Sequence, residues 1–216
     1  MAKFRALTLP QGWIEVICGP MFAGKSEELI KKLNRLIYAD VEYVIFKPIV
    51  DSRSENEIKS RSGLTKDAVN ISNSYEILNY LMESKNRYKV IAIDEAQFFD
   101  NDLVDVCDTL ANNGYVVLVA GLDRDFRGEP FGPIPALLTK AEIIHKLTAI
   151  CTECGAPATM TQRIIDNKPA HYQVDQFLIG NHNDYLPRCR HCHKVSGKKV
   201  NEIEKKFIRF TSELKN

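Results

Sequence analysis

The sequence predicts an α/β fold, with a mostly parallel sheet flanked by helices and a small metal-binding domain after it. Over the first 150 residues, short apolar runs rich in β-branched residues alternate with longer amphipathic segments. This alternation is typical of a parallel sheet covered by helices. Later in the chain the composition changes and two Cys-x-x-Cys pairs appear. We therefore place a domain boundary near Ile150.

Six runs are predicted as strands and three segments as helices. The strands are expected at 13–18, 43–47, 68–71, 90–93, 115–120 and 143–148, and the helices at 27–39, 74–83 and 102–112. In the first helix Leu29, Ile30 and Leu33 share one face, which indicates a surface helix on a sheet. Ser74 is the expected N-cap of the second helix.

Two segments do not follow this alternation. Residues 51–67 are polar, with Ile58 and Leu64 as the sizeable apolar side chains, and we expect a mobile surface loop there. Residues 194–216 carry more Lys and Arg than Glu and are expected to form a mobile basic tail. The predicted division is therefore a nucleotide-binding domain at 1–150, a zinc-binding domain at 151–193 and the tail at 194–216.

Composition and charge exclude several classes of protein. The 216 residues are 44% hydrophobic and 26% charged, which excludes a disordered chain. Because 29 Lys and Arg face 28 Asp and Glu, the chain has no general attraction for nucleic acid or an anionic membrane. No apolar run approaches the roughly 18 residues of a membrane span, and the N-terminus lacks a secretory signal. We expect a cytoplasmic protein with neither nucleic-acid nor membrane partners.

Directly after the first predicted strand, the sequence GPMFAGKS matches the phosphate-loop pattern G-x-x-x-x-G-K-[ST] in full. In such a loop, backbone N–H groups and the following helix N-terminus converge on phosphate oxygens. This P-loop indicates a RecA-like α/β domain that binds ATP; the alternative is a glycine-containing turn that binds nothing. Lys25 would reach the β- and γ-phosphates, and Ser26 would bind Mg²⁺. The loop residues are Gly19, Pro20, Met21, Phe22, Ala23, Gly24, Lys25 and Ser26.

The strand predicted at 90–93 ends in Asp94-Glu95-Ala96-Gln97. The carboxyl ends of parallel strands open on the phosphate site, so an acidic residue there is the expected partner of Mg²⁺. We assign Asp94 to Mg²⁺ and Gln97 to the ATP-binding residues. Glu95 points elsewhere and can act as a base toward a bound hydroxyl group or water. The alternative is a solvated acidic strand end.

Four of the six cysteines form the two pairs and suggest a structural zinc site. The 34 residues between the pairs (155–188) exceed the usual spacing of about 15–20, so an excursion must leave the zinc ribbon and return. Four thiolates close a tetrahedral Zn²⁺ site; His191 or His193 as a replacement ligand and redox-active dithiols are the alternatives. Cys18 and Cys107 are expected to be packed. The proposed ligands are Cys151, Cys154, Cys189 and Cys192.

Taken in order, these motifs make the sequence resemble the type II thymidine kinases, the small, zinc-containing cytosolic class. The matching segments are GPMFAGKS (19–26), DEAQFF (94–99), GLDRDFRGEPFG (121–132), KLTAICTECGAPAT (146–159) and CRHC (189–192). The resemblance implies transfer of the ATP γ-phosphoryl group to the 5′-hydroxyl of thymidine or deoxyuridine, in pyrimidine deoxynucleotide salvage. It also implies Mg²⁺ with ATP, one structural Zn²⁺ and a homotetramer. Inhibition by the end product thymidine triphosphate is left open.

The resemblance also implies roles for individual residues. Glu95 is the family's catalytic base, and Arg163 lies near the transferred phosphate. Asp51, Ser52 and Arg53 belong to a flexible loop that reaches the phosphates. A lasso loop closes over the base, largely through backbone groups. The residues implied for the nucleoside and the lasso are Met21, Phe98, Leu122, Phe126, Thr161, Gln176, Phe177, Leu178, Ile179, Gly180 and Tyr185.

Several alternatives stay open at the level of sequence. Without the resemblance, Phe98, Leu122 and Phe126 are equally well read as core residues. Tyr185 could be a packing residue, and Arg163 a solvated charge. A P-loop ATPase or helicase fragment with a nucleic-acid-binding zinc ribbon would carry the same two ATP motifs, but the near-zero net charge disfavours it. A non-catalytic ATP sensor is a further alternative.

Overall fold

The structure, a computed structural model, describes residues 11–50, 56–60, 62–176 and 184–213. Its centre is a six-stranded sheet formed by β1 (Trp13–Cys18), β2 (Tyr43–Pro48), β5 (Val69–Ile71), β6 (Val90–Ile93), β7 (Val116–Gly121) and β8 (Ile143–Lys146). The strands lie in the order β5-β2-β6-β7-β1-β8, and all neighbouring strands are parallel. This arrangement confirms the predicted α/β class.

Helices cover both faces of this sheet because successive strand residues point to opposite sides. On one face Ile17 packs with Leu29, Ile30 and Leu33 of α1 (Lys25–Ile37). On the other, Ile14 and its neighbours pack under α2 (Tyr75–Glu83), α3 (Leu103–Asn112) and α4 (Ile134–Lys140). Cys18 and Cys107 are fully buried, as predicted.

The predicted elements recur with small shifts at their ends, and two of the described helices were not predicted: α4 and a helix near the end of the chain. The bounds of β1 and β6 are those predicted. The short helix α4 was not predicted because Pro133 and Pro135 stand at its start, where the sequence reads as a loop. Ser74 is the N-cap of α2, as predicted, but its side chain makes no capping hydrogen bond within the helix, because its hydroxyl group donates to Asp100 instead.

Part of the polar segment 51–67, predicted as a mobile loop, forms an antiparallel hairpin. Its strands are β3 (Glu57–Lys59) and β4 (Thr65–Asp67). The Ile58 side chain is 2% exposed and packs in the cluster under α1. One buried isoleucine therefore holds the hairpin on the body of the protein. Residues 51–55 and 61 of this segment lie outside the described part of the chain.

Residues after β8 form a second group of short strands. β9 (Ala149–Ile150) pairs with β10 (Pro157–Ala158), and β11 (Met160–Ile165) lies between β12 (Lys168–Pro169) and β13 (Tyr185–Arg188). The segment after the second cysteine pair is bound to these strands, since the Lys194 N–H donates to Gln162 Oε1 at 2.8 Å.

The last described element is α5 (Glu202–Glu213), an exposed helix in the region predicted as tail. The sequence analysis did not predict this helix, although Ile203, Phe207 and Phe210 recur at helical spacing. Their side chains are 82%, 64% and 53% exposed. Within the residues described, no helix combines the length and apolar character needed to cross a membrane.

Candidate functional site

The phosphate loop connects the carboxyl end of β1 to the start of α1. Gly19 has φ 141°, and a Cβ atom added there would lie 2.4 Å from the Leu147 carbonyl oxygen. Gly24 has φ 81°, also in the left-handed region that favours glycine. The motif glycines are therefore required by this backbone conformation. Phe22 has φ 71° without being glycine, a strained conformation that surrounding contacts must hold.

Lys25, Ser26 and Asp94 lie together beside this loop, as the motifs predict. Lys25 Nζ donates to the Pro20 carbonyl oxygen at 2.9 Å, so the side chain folds back over the loop. The Ser26 hydroxyl group hydrogen-bonds to the Asp94 carboxylate. Burial and the neighbouring Glu95 charge raise the pKa of Asp94 to about 6. A nearby cation would favour the ionised form of this carboxyl group.

The Glu95 backbone lies in the left-handed region, at φ 50°. Its carboxylate oxygen Oε2 accepts a hydrogen bond of 2.6 Å from Gln97 Nε2. The other end of the Gln97 amide, Oε1, accepts a hydrogen bond from the Leu122 N–H at 2.9 Å. The Gln97 side chain thus contacts two protein groups, one on the predicted base and one directly after β7.

Among the residues predicted for the nucleoside, Leu122 and Phe126 follow the carboxyl end of β7, and Thr161 lies near the start of β11. Leu122, Phe126 and Thr161 are 8%, 3% and 3% exposed. Thr161 Oγ1 accepts a hydrogen bond from the Met21 N–H at 3.0 Å. This bond brings the two residues predicted beside the base into contact, across 140 positions of sequence. Phe98 lies edge-on to Phe131, with ring centroids 5.7 Å apart.

Arg163 is 4% exposed, so it is not a solvated surface charge. Its Nη1 donates to the Asp175 carbonyl oxygen at 2.7 Å, and its guanidinium group lies 5.6 Å from the Phe126 ring centroid. This contact ties Arg163 to the segment that leads into the predicted lasso. The predicted contact with the transferred phosphate stays a prediction.

Some of the predicted loop residues lie outside the described residues: Asp51, Ser52 and Arg53 of the phosphate-reaching loop, and Phe177, Leu178, Ile179 and Gly180 of the lasso. Two predicted lasso residues are described. Gln176 Nε2 donates to Asp125 Oδ2 at 3.2 Å. Tyr185 begins β13 and pairs with Arg163 of β11.

Sequence reasoning assigned no role to Arg127, which makes several contacts next to this segment. Its Nη2 donates to the Val174 carbonyl oxygen at 2.7 Å. Its guanidinium group lies 5.3 Å and 5.2 Å from the ring centroids of Phe126 and Tyr172. The only sequence signal was the dense run of charges in DRDFRGEP (123–130) directly after β7.

The two cysteine pairs meet in the structure. The Sγ atoms of Cys151, Cys154, Cys189 and Cys192 all lie within 4.8 Å of one another, and Cys154 Sγ is 3.6 Å from Cys189 Sγ. Tetrahedral coordination with Zn–S bonds of about 2.3 Å places sulfur atoms about 3.8 Å apart. The four thiols therefore fit a zinc ion. His193 does not join them, since its Nε2 contacts the Phe126 carbonyl oxygen at 2.8 Å.

The cysteine cluster also contacts the phosphate loop. Phe22 and Ala23 pack against the group formed by Cys151, Cys189, Cys192 and the neighbouring alanines. Since Met21 is hydrogen-bonded to Thr161, three successive loop residues rest on the cysteine-bearing part of the chain. This contact explains how the φ of Phe22 can be maintained.

The part of the chain that carries these motifs is similar to known proteins. A family model described as thymidine kinase matches residues 12–193. A thymidine kinase of Mycoplasmoides gallisepticum is 52% identical over 97% of this chain and 93% of its own length. One of Ureaplasma urealyticum serovar 10 is 51% identical over 97% and 96%.

Among solved structures, the Legionella pneumophila ATPase DotB aligns with a TM-score of 0.43 and 15% identity, over 73% of this chain and 46% of that one. The assignment of a family does not depend on this partial likeness. It depends on relatives that are half identical over almost the whole chain, and on a family model that covers the phosphate loop, the Asp94-Glu95 strand end and both cysteine pairs. On these grounds the chain belongs to the thymidine kinase family.

Proposed function

We propose that this protein transfers the γ-phosphoryl group of ATP to the 5′-hydroxyl of thymidine or deoxyuridine, giving the 5′-monophosphate and ADP. The observation that carries the proposal is the hydrogen bond of 3.0 Å between Met21 in the phosphate loop and Thr161 on β11. It joins the phosphate-binding element directly to the strand that bears predicted nucleoside residues. An enzyme that transfers a phosphoryl group needs these two sites side by side.

On the phosphate side, the proposal assigns ATP to the N–H groups of the loop and to the N-terminus of α1. Lys25 would exchange its bond with the Pro20 carbonyl oxygen for the β- and γ-phosphates. Ser26 and Asp94, which already contact each other, would hold Mg²⁺. The ion supplies charge neutralisation on the phosphate oxygens. Support for Asp94 comes from its burial, because a carboxylate that is 4% exposed gains strongly from a cation beside it.

On the nucleoside side, Glu95 would act as the base. The 5′-oxygen forms a bond to the γ-phosphorus while the bond from that phosphorus to the β–γ bridging oxygen breaks, and Glu95 takes the hydroxyl proton. Leu122, Phe126 and Phe98 would contact the nucleoside. Arg163 and Arg53 would add positive charge, and in the structure Arg163 donates a hydrogen bond to the Asp175 backbone.

The remaining parts of the proposal concern organisation. The four cysteines would hold one structural Zn²⁺, which is supported by their tetrahedral spacing. The division into domains at 1–150 and 151–193 is supported by the change of composition and by the separate small sheets that follow β8. A cytoplasmic homotetramer is supported by the family resemblance. Inhibition by the end product thymidine triphosphate can be measured in the activity assays described below.

A substrate panel tests the reaction directly. Thymidine, deoxyuridine, deoxycytidine and deoxyguanosine are each incubated with Mg-ATP, and the products are separated by chromatography. We expect 5′-monophosphates from the first two nucleosides only. Saturable ATP binding without any phosphorylated nucleoside, or ATP hydrolysis stimulated by nucleic acid, would contradict the proposal.

Replacing Glu95 tests the chemical step. Glu95→Gln keeps the shape of the side chain but removes the base, so we expect kcat for thymidine to fall roughly 10²–10⁴-fold while ATP still binds. The control is Glu83→Gln, at the exposed end of α2, which should retain the parent rate. A Glu95→Gln enzyme with the parent rate would exclude Glu95 as the base.

A further inference from the structure

The Gln97 side chain occupies a buried position between the proposed base and the loop after β7. Gln97 is 2% exposed and lies in the 3-10 turn Ala96–Phe98, which follows Glu95. A buried amide group must find partners for both its oxygen and its NH₂ group. The two partners of Gln97 are on different elements, and this fixes how the amide is oriented.

The orientation follows from donor and acceptor chemistry. The Leu122 N–H can only donate, so the Gln97 atom facing it at 2.9 Å must be the oxygen. The NH₂ group is then directed to Glu95, whose Oε2 lies 2.6 Å away. A bond between an amide N–H and an ionised carboxylate is among the stronger hydrogen bonds in proteins. The backbone N–H of Leu122, directly after β7, therefore determines which atom Gln97 presents to Glu95.

The surroundings leave Gln97 little room to move. A Cβ atom on Gly121 would lie 2.8 Å from Gln97 Oε1, and one on Gly132 would lie 2.2 Å from the Gln97 carbonyl oxygen. The turn is closed by a hydrogen bond of 3.1 Å from the Phe98 N–H to the Glu95 carbonyl oxygen. Because positions 121 and 132 are glycines, other segments can pack directly against Gln97. Both the side chain and the backbone of Gln97 are therefore held in place.

We propose that Gln97 is a positioning residue that holds the Glu95 carboxylate in the orientation needed to take the 5′-hydroxyl proton. With Oε2 held by Gln97, the second carboxylate oxygen is the one that accepts the proton. Because Leu122 belongs to the predicted nucleoside pocket, the same amide couples the position of the base to the loop against which the nucleoside binds. The inference rests on the proposed role of Glu95, and it replaces the ATP contact expected for Gln97 from the sequence.

Replacing the amide with an apolar side chain of similar length tests this role. In Gln97→Met we expect kcat to fall roughly 10–100-fold, since a misplaced base slows the chemical step. KM for thymidine and for Mg-ATP should change less than about threefold, because only interactions made in the transition state are lost. Gln11→Met, an exposed substitution of the same kind, should leave kcat and both KM values unchanged.

A double-mutant cycle separates action through Glu95 from any independent effect. If Gln97 acts by holding the Glu95 carboxylate, Gln97→Met added to Glu95→Gln should not lower kcat further. An additional 10-fold loss in the double variant would overturn the inference, as would a parent kcat in Gln97→Met or a rise confined to the KM for Mg-ATP. If Glu95→Gln alone keeps the parent rate, the base assignment fails instead.

Folding must be measured alongside activity. The thermal unfolding midpoint of Gln97→Met should stay close to that of the parent, and the affinity for thymidine should persist. Should Gln97→Met fail to fold, Gln97→Asn provides the same comparison, because it keeps the amide group but shortens its reach by one methylene. We expect a reduced kcat with unchanged KM in Gln97→Asn, and a parent kcat there would overturn the inference.

Discussion

Two residues near the phosphate loop have backbone conformations that cost energy. Phe22 and Glu95 have φ 71° and 50° without being glycine or asparagine, and such residues cost on the order of 1–3 kcal/mol each. Packing against the cysteine cluster offsets this cost at Phe22. Glu95 stands directly before the 3-10 turn Ala96–Phe98, and its side chain is hydrogen-bonded to Gln97 within that turn.

Ser74 illustrates how one residue can connect two elements. It is fully buried before α2, and both its N–H and its hydroxyl group donate to Asp100. Partial burial of Asp100 opposes ionisation, but these donors outweigh it and lower its pKa. Since the Asp100 pKa is lower in the folded protein than in the unfolded chain, the contribution to stability is present at neutral pH. It is lost as the pH falls below about 4, through the pKa of the folded state.

We therefore predict that Ser74→Ala lowers the free energy of unfolding by about 1–2 kcal/mol at neutral pH, the usual range for a hydrogen bond to a charged group that is itself partly exposed. Urea denaturation at several pH values measures the effect. The difference from the parent should shrink as the pH falls below about 4. A difference that stays constant over this pH range would show that Asp100 ionisation is not involved.

At the scale of elements, two arginines hold the segment that leads into the predicted lasso. Arg127 and Arg163 donate to the carbonyl oxygens of consecutive residues, Val174 and Asp175, at 2.7 Å each. Both guanidinium groups also lie on the Phe126 ring. The aromatic residue predicted to contact the nucleoside thus lies against both groups that anchor this segment. Contacts with the nucleoside and the position of the segment are therefore linked.

Arg127→Met should test this anchoring, because it keeps much of the packing but removes the bond to Val174. A hydrogen bond from a charged group contributes about 1.5–3 kcal/mol, so we expect KM for thymidine to rise roughly 10-fold or more. The kcat value and KM for Mg-ATP should change less than about threefold. Steady-state kinetics measure both, with the exposed Arg87→Met as control. An equal rise in both KM values would contradict a role specific to the nucleoside.

At the scale of the whole molecule, the cysteine cluster supports the phosphate loop. Phe22 and Ala23 pack on the cluster, and Met21 is hydrogen-bonded to Thr161. Among the described residues, the four thiols have no large apolar core around them; the buried residues of that group are two alanines and two of the cysteines themselves. A bound metal ion would therefore be a strong restraint on this part of the chain.

Metal removal should consequently weaken ATP binding as well as the small domain. We predict that chelation, or Cys154→Ser, raises the dissociation constant of a fluorescent ATP analogue by roughly 10-fold or more, since loop contacts worth about 1.4 kcal/mol or more are lost. Zinc content is measured on the same samples, and restoration of binding by added Zn²⁺ is the control for chelation. A folded, zinc-free protein with parent ATP affinity would contradict the coupling.

Much of the fold could be predicted because it depends on local patterns. β1 and β6 are continuous apolar runs, and α1 carries its apolar side chains on one face. Other elements lacked such a signal. The β3–β4 hairpin packs on the protein through the buried Ile58 side chain. A single apolar residue in a polar segment does not indicate which residues it contacts. For α4, the prolines at its start obscured a helix that is stabilised by burial of Ile134 and Leu137.

The sequence by itself determined the chemical groups at this site: a phosphate loop, two adjacent acids and four thiols, all recognisable from spacing along the chain. Only the tertiary structure decided how these groups are connected. Gln97 bonds to Glu95 and to Leu122, 25 positions away, and Met21 bonds to Thr161 across 140 positions. The physical reason is that a hydrogen bond depends on the distance and direction between two atoms in space, which packing of the elements determines and spacing along the chain does not.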